Sequence, residues 1–264
     1  MVVSLNRVEA LRRSLAALEK SEGRETMQII VVDNGSTDGA AQLDTDFPAS
    51  QFVRLPKNFG LTKAMNIGWR AADSEYVLFL HDDTEVDPGA VMRMLETLES
   101  TPEAGAVCPL LVDEEGRPAP QLGSLPPNGE WRPAAVEGNE PVAVEYARGA
   151  ALMMRVFLIK SVRQIDEHYG QFGSDADLAT QIRRGGKKIL LVPTARVRHW
   201  GSPGYNSMER ADFQIGRAVY IGKYQGFGAG LQARIGAILG SLFGFRLGEF
   251  KYAIAGQKID GTQQ

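Results

Sequence analysis

Apolar and polar positions fall into two rhythms over the first 110 residues. Short apolar runs at 28–32 (QIIVV), 51–55 (QFVRL), 76–80 (YVLFL) and 104–111 (AGAVCPLL) read as strands. The run at 76–80 has no polar alternation, which is the pattern of a strand buried on both faces. Between these runs the apolar residues recur at helical spacing. Val8, Leu11, Leu15 and Leu18 mark one helix, with Asn6 placed to cap it; 61–72 marks another, with Gly68 a weak spot; Val91, Met94, Leu95 and Leu98 mark a third, opened by Pro88. The dense turn signal at 33–39 (DNGSTDG) reads as a helix start.

Strand and helix alternate four times, so a parallel, doubly wound α/β sheet is expected. The strands end in Ser4/Asn6, Asp33/Asn34, Asn58 and Asp82/Asp83, all on their C-terminal side. Right-handed crossovers bring such ends to one edge, where open α/β sheets bind ligands.

The second half is less regular. Residues 113–141 are rich in Pro, Gly and Glu and read as a mobile loop or a weak hairpin. Strand character resumes at 145–155. Ser174-Asp175-Ala176-Asp177 opens a helix that stops at Gly185-Gly186, and 189–192 is a strand ended by Pro193. From Asp212 the chain reads as interrupted helix. Its apolar stretch at 235–245 is too short to span a bilayer and is flanked by Arg234, Arg246 and Lys251. Peripheral contact with a membrane surface, packing against the body, and packing against a partner subunit in a homodimer are all consistent with it.

Composition narrows the class. The chain has 264 residues, 44% hydrophobic and 23% charged, an ordinary globular balance. A net charge of −3 gives no argument for nucleic acid. Cys108 is the only cysteine, so an internal disulfide and a zinc cluster are excluded and a reducing cytoplasm fits. The opening VVSLNR shows no signal-peptide pattern. GFGAG at 226–230 follows no strand and lacks dinucleotide-binding context.

The chemistry concentrates at HDDT, 81–84. Two adjacent aspartates repel each other unless a cation or donor lies between them, and a hard divalent ion carrying phosphate oxygens meets that need. The competing reading is a polar turn capped by Asp83 or Thr84.

The segments VVSLNR, IIVVDNGSTDG, NFGLTKAMNIGWRAADSEYVLFLHDDTEVDPGA, RGAALMMR and FGSDADLATQIRRGGKKILLVPTARVRHWG occur in this order from residue 2 to about 201. Together they resemble family-2 inverting glycosyltransferases of the GT-A fold, in the rhamnosyltransferase-like branch. The resemblance implies a Rossmann-like GT-A domain over 1–205, with a nucleotide-binding half (1–111) and an acceptor and catalytic half (112–205). The remaining 206–264 would be a helical C-terminal extension.

It also implies roles. Asp33 or Asn34 would bond the donor's base or ribose, and Asn58, Lys63 and Asn66 would line the nucleotide pocket. Asp83, with Asp82 beside it, would hold Mg²⁺ or Mn²⁺ under the diphosphate, and His199 would lie near that diphosphate or metal. Asp175 would be the general base that takes the acceptor hydroxyl's proton. The donor expected is a dTDP- or UDP-sugar, with dTDP-rhamnose leading, and the acceptor a glycan, lipid-linked sugar or metabolite. The site of action expected is the cytoplasm, at the inner face of the membrane where the tail touches it. His81 and Ser174 depart from the family pattern, where Asp or Asn and Glu are usual. The first strand begins later than the family's, which leaves base contacts near Val3 and Leu5 open.

Other readings stand beside these. Asp175 or Ser174 could only cap the helix, Asp177 could be a first-turn charge, Lys63 a solvated one, and His199 a satisfied histidine. Arg148, before the small residues Gly149-Ala150-Ala151, reaches a phosphate or pairs a carboxylate. A helix N-terminus favours ionised Asp175 and weakens it as a base, so a desolvated site has to push back. The rival function is a non-catalytic nucleotide-sugar-binding or scaffold protein on the same fold.

Overall fold

The apolar runs of the first half become strands because helices cover both faces of the sheet they form. The computed structural model describes residues 1–201 and 205–259. The first half comprises β1 (Val2–Ser4), α1 (Val8–Glu19), β2 (Ile29–Asp33), β3 (Ser50–Arg54), α2 (Leu61–Arg70), β4 (Tyr76–His81), β5 (Thr84–Val86), α3 (Ala90–Ser100) and β6 (Ala104–Val112). The second half comprises β7 (Pro120–Gly123), β8 (Arg132–Pro133), β9 (Val142–Val144), β10 (Tyr146–Ala147), β11 (Ala151–Arg155), α4 (Val156–Ser161), α5 (Ser174–Arg184), β12 (Lys188–His199), α6 (Ser207–Gln225), α7 (Phe227–Phe243) and α8 (Leu247–Ala255).

Among the described residues the central sheet has nine strands, ordered β3-β2-β1-β4-β11-β6-β12-β5, with β9 also on β12. The block β3 to β4 is parallel, as is the β6/β12 pair. β11 runs antiparallel between β4 and β6, and β5 and β9 run antiparallel to β12. This is a mostly parallel α/β sheet. On one face lie Leu11, Leu15 and Leu18 of α1 and Met94 and Leu98 of α3. On the other lie Trp69 of α2, Ile159 of α4, Ile182 of α5, and Tyr220 and Ile221 of α6. Every residue of β2 and β6 is therefore buried.

The 113–141 segment takes the hairpin form. β7 pairs antiparallel with β8 and with β10 in a small second sheet. Buried Gln121 staples it to β6, donating to the Pro109 carbonyl and accepting from Leu111 N–H.

Three local expectations are corrected. Asn6 does not cap α1. Its backbone has φ 53° and its side chain accepts from Thr37 N–H at 2.7 Å, while Asp38 reaches across to accept from Val8 N–H. The turn at 33–39 leads into a short 3₁₀ segment, Ala40–Asp44, rather than an α-helix. Pro193 does not end its strand. β12 runs on to His199, with the register shift between Val192 and Arg196 absorbing a residue that cannot donate to the ladder.

Candidate active site

The C-terminal ends of β1, β2 and β4 meet as the alternating pattern requires. Ser4 Oγ donates to Asp82 Oδ2 at 2.8 Å across the β1–β4 pair. Asp82 and Asp83 are both 5% exposed, and Thr84 closes their turn by donating to the His81 carbonyl at 2.7 Å. β5 then pairs with the end of β12, setting His199 opposite Thr84, and Trp200 N–H donates to the Asp83 carbonyl. That register puts His199 Nε2 3.3 Å and His81 Nδ1 3.8 Å from Asp83 Oδ1. Ligand atoms of His81, Asp83 and His199 all lie within 4.8 Å of one another.

Charge at this edge is asymmetric. Arg7, just past β1, places Nη1 3.1 Å from Asp82 Oδ1 and 3.0 Å from Asp83 Oδ2. Burial raises the Asp82 carboxyl to about 6, against the opposing pull of Arg7 and the Ser4 hydroxyl. Burial would raise Asp83 too, but His199, His81 and Arg7 outweigh it and hold Asp83 well below the usual carboxylate range. Burial lowers His81 to about 4, so its imidazole is neutral at pH 7. Asp83 Oδ1 is buried and accepts no well-formed hydrogen bond, with His199 Nε2 3.3 Å away. An ionised oxygen between two imidazoles is a donor set that could hold a divalent cation.

The neighbouring strand ends are wired into loops. Asp33, 2% exposed, accepts from Ser36 N–H at 3.0 Å, the turn bond its position suggests. Asn34 donates to Asn58 Oδ1 at 3.0 Å and accepts from Phe59 N–H, and Asn58 also accepts from Gly60 N–H. Gly35 (φ 86°) lets the two loops touch, since a Cβ there would sit 2.5 Å from the Lys57 backbone. Lys63 is exposed on α2 with Nζ 5.6 Å from the centre of the Phe59 ring.

Asn66 is not brought to this edge. It is fully buried, donates to the Ile165 carbonyl and Glu167, and accepts from Ile165 N–H and Trp69 Nε1. Its hydrogen-bonding capacity is spent on holding α2 to the segment before α5, which is a packing role rather than a nucleotide contact.

The second carboxylate site lies along the chain from 148 to 150. Ala150 accepts from His81 N–H at 2.9 Å, and Gly149 N–H donates to Asp175 Oδ2 at 3.3 Å. Asp175 sits in the first turn of α5 but caps nothing, and neither does Ser174; the helix starts after Gly173 (φ 101°) without a side-chain cap. Burial raises the Asp175 carboxyl, opposed by the Tyr146 hydroxyl and by the Ala176 and Gly149 N–H groups. Arg148 is half-buried, with Cζ 6.0 Å from the Trp131 ring centre. Two residues on, Asp177 is 1% exposed and holds Tyr169, Tyr224, Gln181 and Lys223.

Sequence reasoning missed Arg7, Tyr146 and the anchoring role of Asp177. Arg7 carried a usable signal: it is a cation directly after a strand whose end must lie beside two aspartates. Tyr146 carried none, since its approach to Asp175 depends on how β10 joins the second sheet.

The strand ends thus gather a carboxylate pair with two imidazoles and an arginine, and the 148–150 segment links this edge to the buried end of α5. The model of glycosyl transferase family 2 matches residues 1–159, and the chain belongs to that family. It is 27% identical over 219 residues to N-acetylglucosaminyl-diphospho-decaprenol L-rhamnosyltransferase of Mycobacterium tuberculosis, covering 72% of this chain and 71% of that one. It is 33% identical over 110 residues to poly-beta-1,6-N-acetyl-D-glucosamine synthase of Staphylococcus epidermidis, covering 40% and 26%. Among solved structures, GalNAc-T7 with UDP, GalNAc and Mn²⁺ superposes with a TM-score of 0.66 at 18% identity over 78% of this chain and 44% of that one. S. aureus TarS 1–349 with UDP superposes with a TM-score of 0.63, also at 18%, over 84% and 64%. The chain thus spans less than two thirds of either solved neighbour. The fold is that of the GT-A glycosyltransferases.

Proposed function

We propose that this chain is an inverting glycosyltransferase that moves a sugar from a nucleoside diphosphate to a hydroxyl of a lipid-linked acceptor. One observation supports this above the rest: Ala150 and Gly149 bond, on one side, the backbone of His81 beside the Asp82–Asp83 pair and, on the other, Asp175, whose pKa is raised. The first suits a diphosphate held through a cation, and the second suits a general base.

Asp83, His81 and His199 would hold the divalent ion. Two imidazoles with one carboxylate favour Mn²⁺ over Mg²⁺, which prefers oxygen ligands. Bound there, the ion supplies Lewis-acid neutralisation of the departing diphosphate. Arg7, already on both carboxylates, orients them. Asp33, Asn34 and Asn58 shape the nucleotide side, and Lys63 and Arg148 offer positive charge to the phosphates. Asp175 accepts the proton of the acceptor hydroxyl; burial makes it a stronger base than a solvated carboxylate. Attack from the side opposite the leaving group inverts the anomeric carbon. Residues 1–111 would serve the donor, 112–205 the acceptor, and 206–264 would form an extension whose last five residues lie outside the described residues.

The donor favoured is dTDP-rhamnose, and the lipid-linked acceptor is favoured with it, because the relative matched over 219 residues is a rhamnosyltransferase named for a lipid-linked sugar. UDP-sugars are the competitors, since a fold neighbour is crystallised with UDP. A thermal-shift panel of dTDP-rhamnose, UDP-sugars and free nucleotides, each with and without Mn²⁺, decides between them. A Mn²⁺-dependent shift largest for dTDP-rhamnose is expected. A larger shift with a UDP-sugar reassigns the donor, and no nucleotide shift under any condition defeats the reading.

A further inference from the structure

α7 departs from the rule that a helix apolar on all sides lies in the interior. Only Gly230 and Ser241 of its 17 residues are buried. Phe227, Leu231, Ile235, Leu239 and Phe243 recur every fourth position, and each is at least 44% exposed. α7 meets α6 through a close crossing of Gly230 on Gly222. Its turn into α8 exposes Phe243, Phe245 and Leu247 by 74%, 88% and 67%. Phe245 has φ 54°, a left-handed conformation disfavoured for a residue with a side chain. Strained backbone that presents an aromatic ring to water brings the isolated fold no packing in return.

The surroundings of this face are basic. Between 227 and 259 stand Arg234, Arg246, Lys251 and Lys258 against a single acid, in a chain of net charge −3; Arg234 also donates to the Ala253 carbonyl, Arg246 pairs with Glu249, and Lys258 donates to the His168 carbonyl. That acid, Glu249, is 2% exposed and is held by Arg210 and Arg246. No helix among the described residues is long and apolar enough to cross a membrane.

The helix after the turn is linked through α6 to the segment that precedes α5. Phe172, which precedes α5 and Asp175, packs edge-on against Tyr205 at 5.0 Å. Tyr205 leads into α6, whose Arg210 bonds the Tyr205 carbonyl and Glu249 in the first turn of α8. Asp212 of α6 accepts from Gln171 and Phe172 N–H. The segment before α5 is thus tied to α6, and α6 to the first turn of α8, which follows directly on the exposed Phe243, Phe245 and Leu247.

We infer that the α7–α8 turn seats the protein on an anionic lipid bilayer, with Phe243, Phe245 and Leu247 entering the acyl boundary and the basic residues meeting headgroups. A second copy of the chain is a poorer occupant, because a two-fold contact would set the same cations against each other. The inference extends the transferase reading by holding the enzyme on the surface that carries a lipid-linked acceptor, and it rests on that reading only for this link.

The test is flotation of the full chain with vesicles of phosphatidylcholine, alone or mixed with phosphatidylglycerol. Binding to the anionic vesicles that weakens with salt is expected. The combined variant Phe243→Ser, Phe245→Ser, Leu247→Ser should reduce it about tenfold or more, with melting temperature and nucleotide binding unchanged. All three side chains are exposed, so the variant is expected to fold. Failure to float with either vesicle, or flotation that the triple variant retains, overturns the inference. So does a dimer, seen by light scattering, that the triple variant dissociates in a protein that ignores lipid. Flotation requires neither donor nor turnover, so a failed transferase assay and a failed flotation are separate results.

Discussion

Burial pushes upward on both Asp83 at the donor edge and Asp175 at the base end, and the two carboxylates finish on opposite sides of the ordinary value. Around Asp83 stand two imidazoles and a guanidinium, and their combined pull exceeds the cost of burial. Around Asp175 stand a phenol and backbone N–H groups, which are dipoles without net charge, and burial wins. Asp82 lies between: it shares Arg7 with Asp83, lacks the imidazoles, and is raised to about 6. Depth alone does not set the state of a carboxylate here; the groups packed around it do. One sheet edge can thus keep an anion ready for a cation and, across Gly149 and Ala150, keep a base ready for a proton.

The largest effect is expected from removing the base. Asp175→Asn keeps the volume and one acceptor oxygen, and should lower kcat by about a thousandfold while donor affinity holds. Steady-state kinetics beside nucleotide thermal shifts check this, and full turnover in the purified variant would remove Asp175 from the mechanism. A smaller loss is expected at the other end. Asp83→Asn should cost kcat/KM about a hundredfold and, more tellingly, abolish the Mn²⁺ dependence of nucleotide binding. If Mn²⁺ still enhances binding by this variant, the cation is held elsewhere.

Asp177 serves as the control for Asp175, since both stand in the first turn of one helix. Its carboxylate binds two phenols, Gln181 and Lys223, and so ties α5 to α6. Asp177→Ala leaves those donors unpartnered and should cost about 2 kcal/mol, a melting-point drop of roughly 5 °C, with nucleotide binding retained at lower temperature.

The donor edge was more legible in the sequence than the base end, and the reason is topological. Parallel strands joined by short crossovers send their C-terminal ends to one side, so Ser4, Asp33, Asn34, Asn58 and Asp82 could be grouped from local pattern alone. Asp175 could be placed in the first turn of α5, but what touches it could not. Gly149 reaches it from 26 positions earlier, and Tyr146 through a second sheet that a Pro- and Gly-rich segment only hinted at. Asn66 failed for a related reason. A polar residue on a helix beside the nucleotide edge looks like a pocket residue until the 165–167 segment, far along the chain, takes up its hydrogen bonds. Pro193 misled because strand rules assume a regular ladder, and β12 is irregular where that proline sits.

The smallest effect isolates burial at Asp175 from everything else. Its folded pKa lies above the ordinary 3.8, so the folded chain holds this proton more tightly than the unfolded chain. Stability from this group is then fully present below the unfolded value and is lost as pH rises through the folded one. At neutral pH the ionised, half-buried carboxylate is a net cost to the fold. Asp175→Asn removes that cost, and should melt higher than the native chain at neutral pH. The advantage should shrink as pH falls and vanish once the aspartate is protonated in both states. Melting curves of the two proteins across that range decide it. A gain that does not change with pH would mean that the amide packs better, and that ionisation is not what the fold resists at this position. The native chain's kcat/KM should fall over the same interval on acidification, since the proton that stabilises the fold occupies the oxygen the acceptor needs.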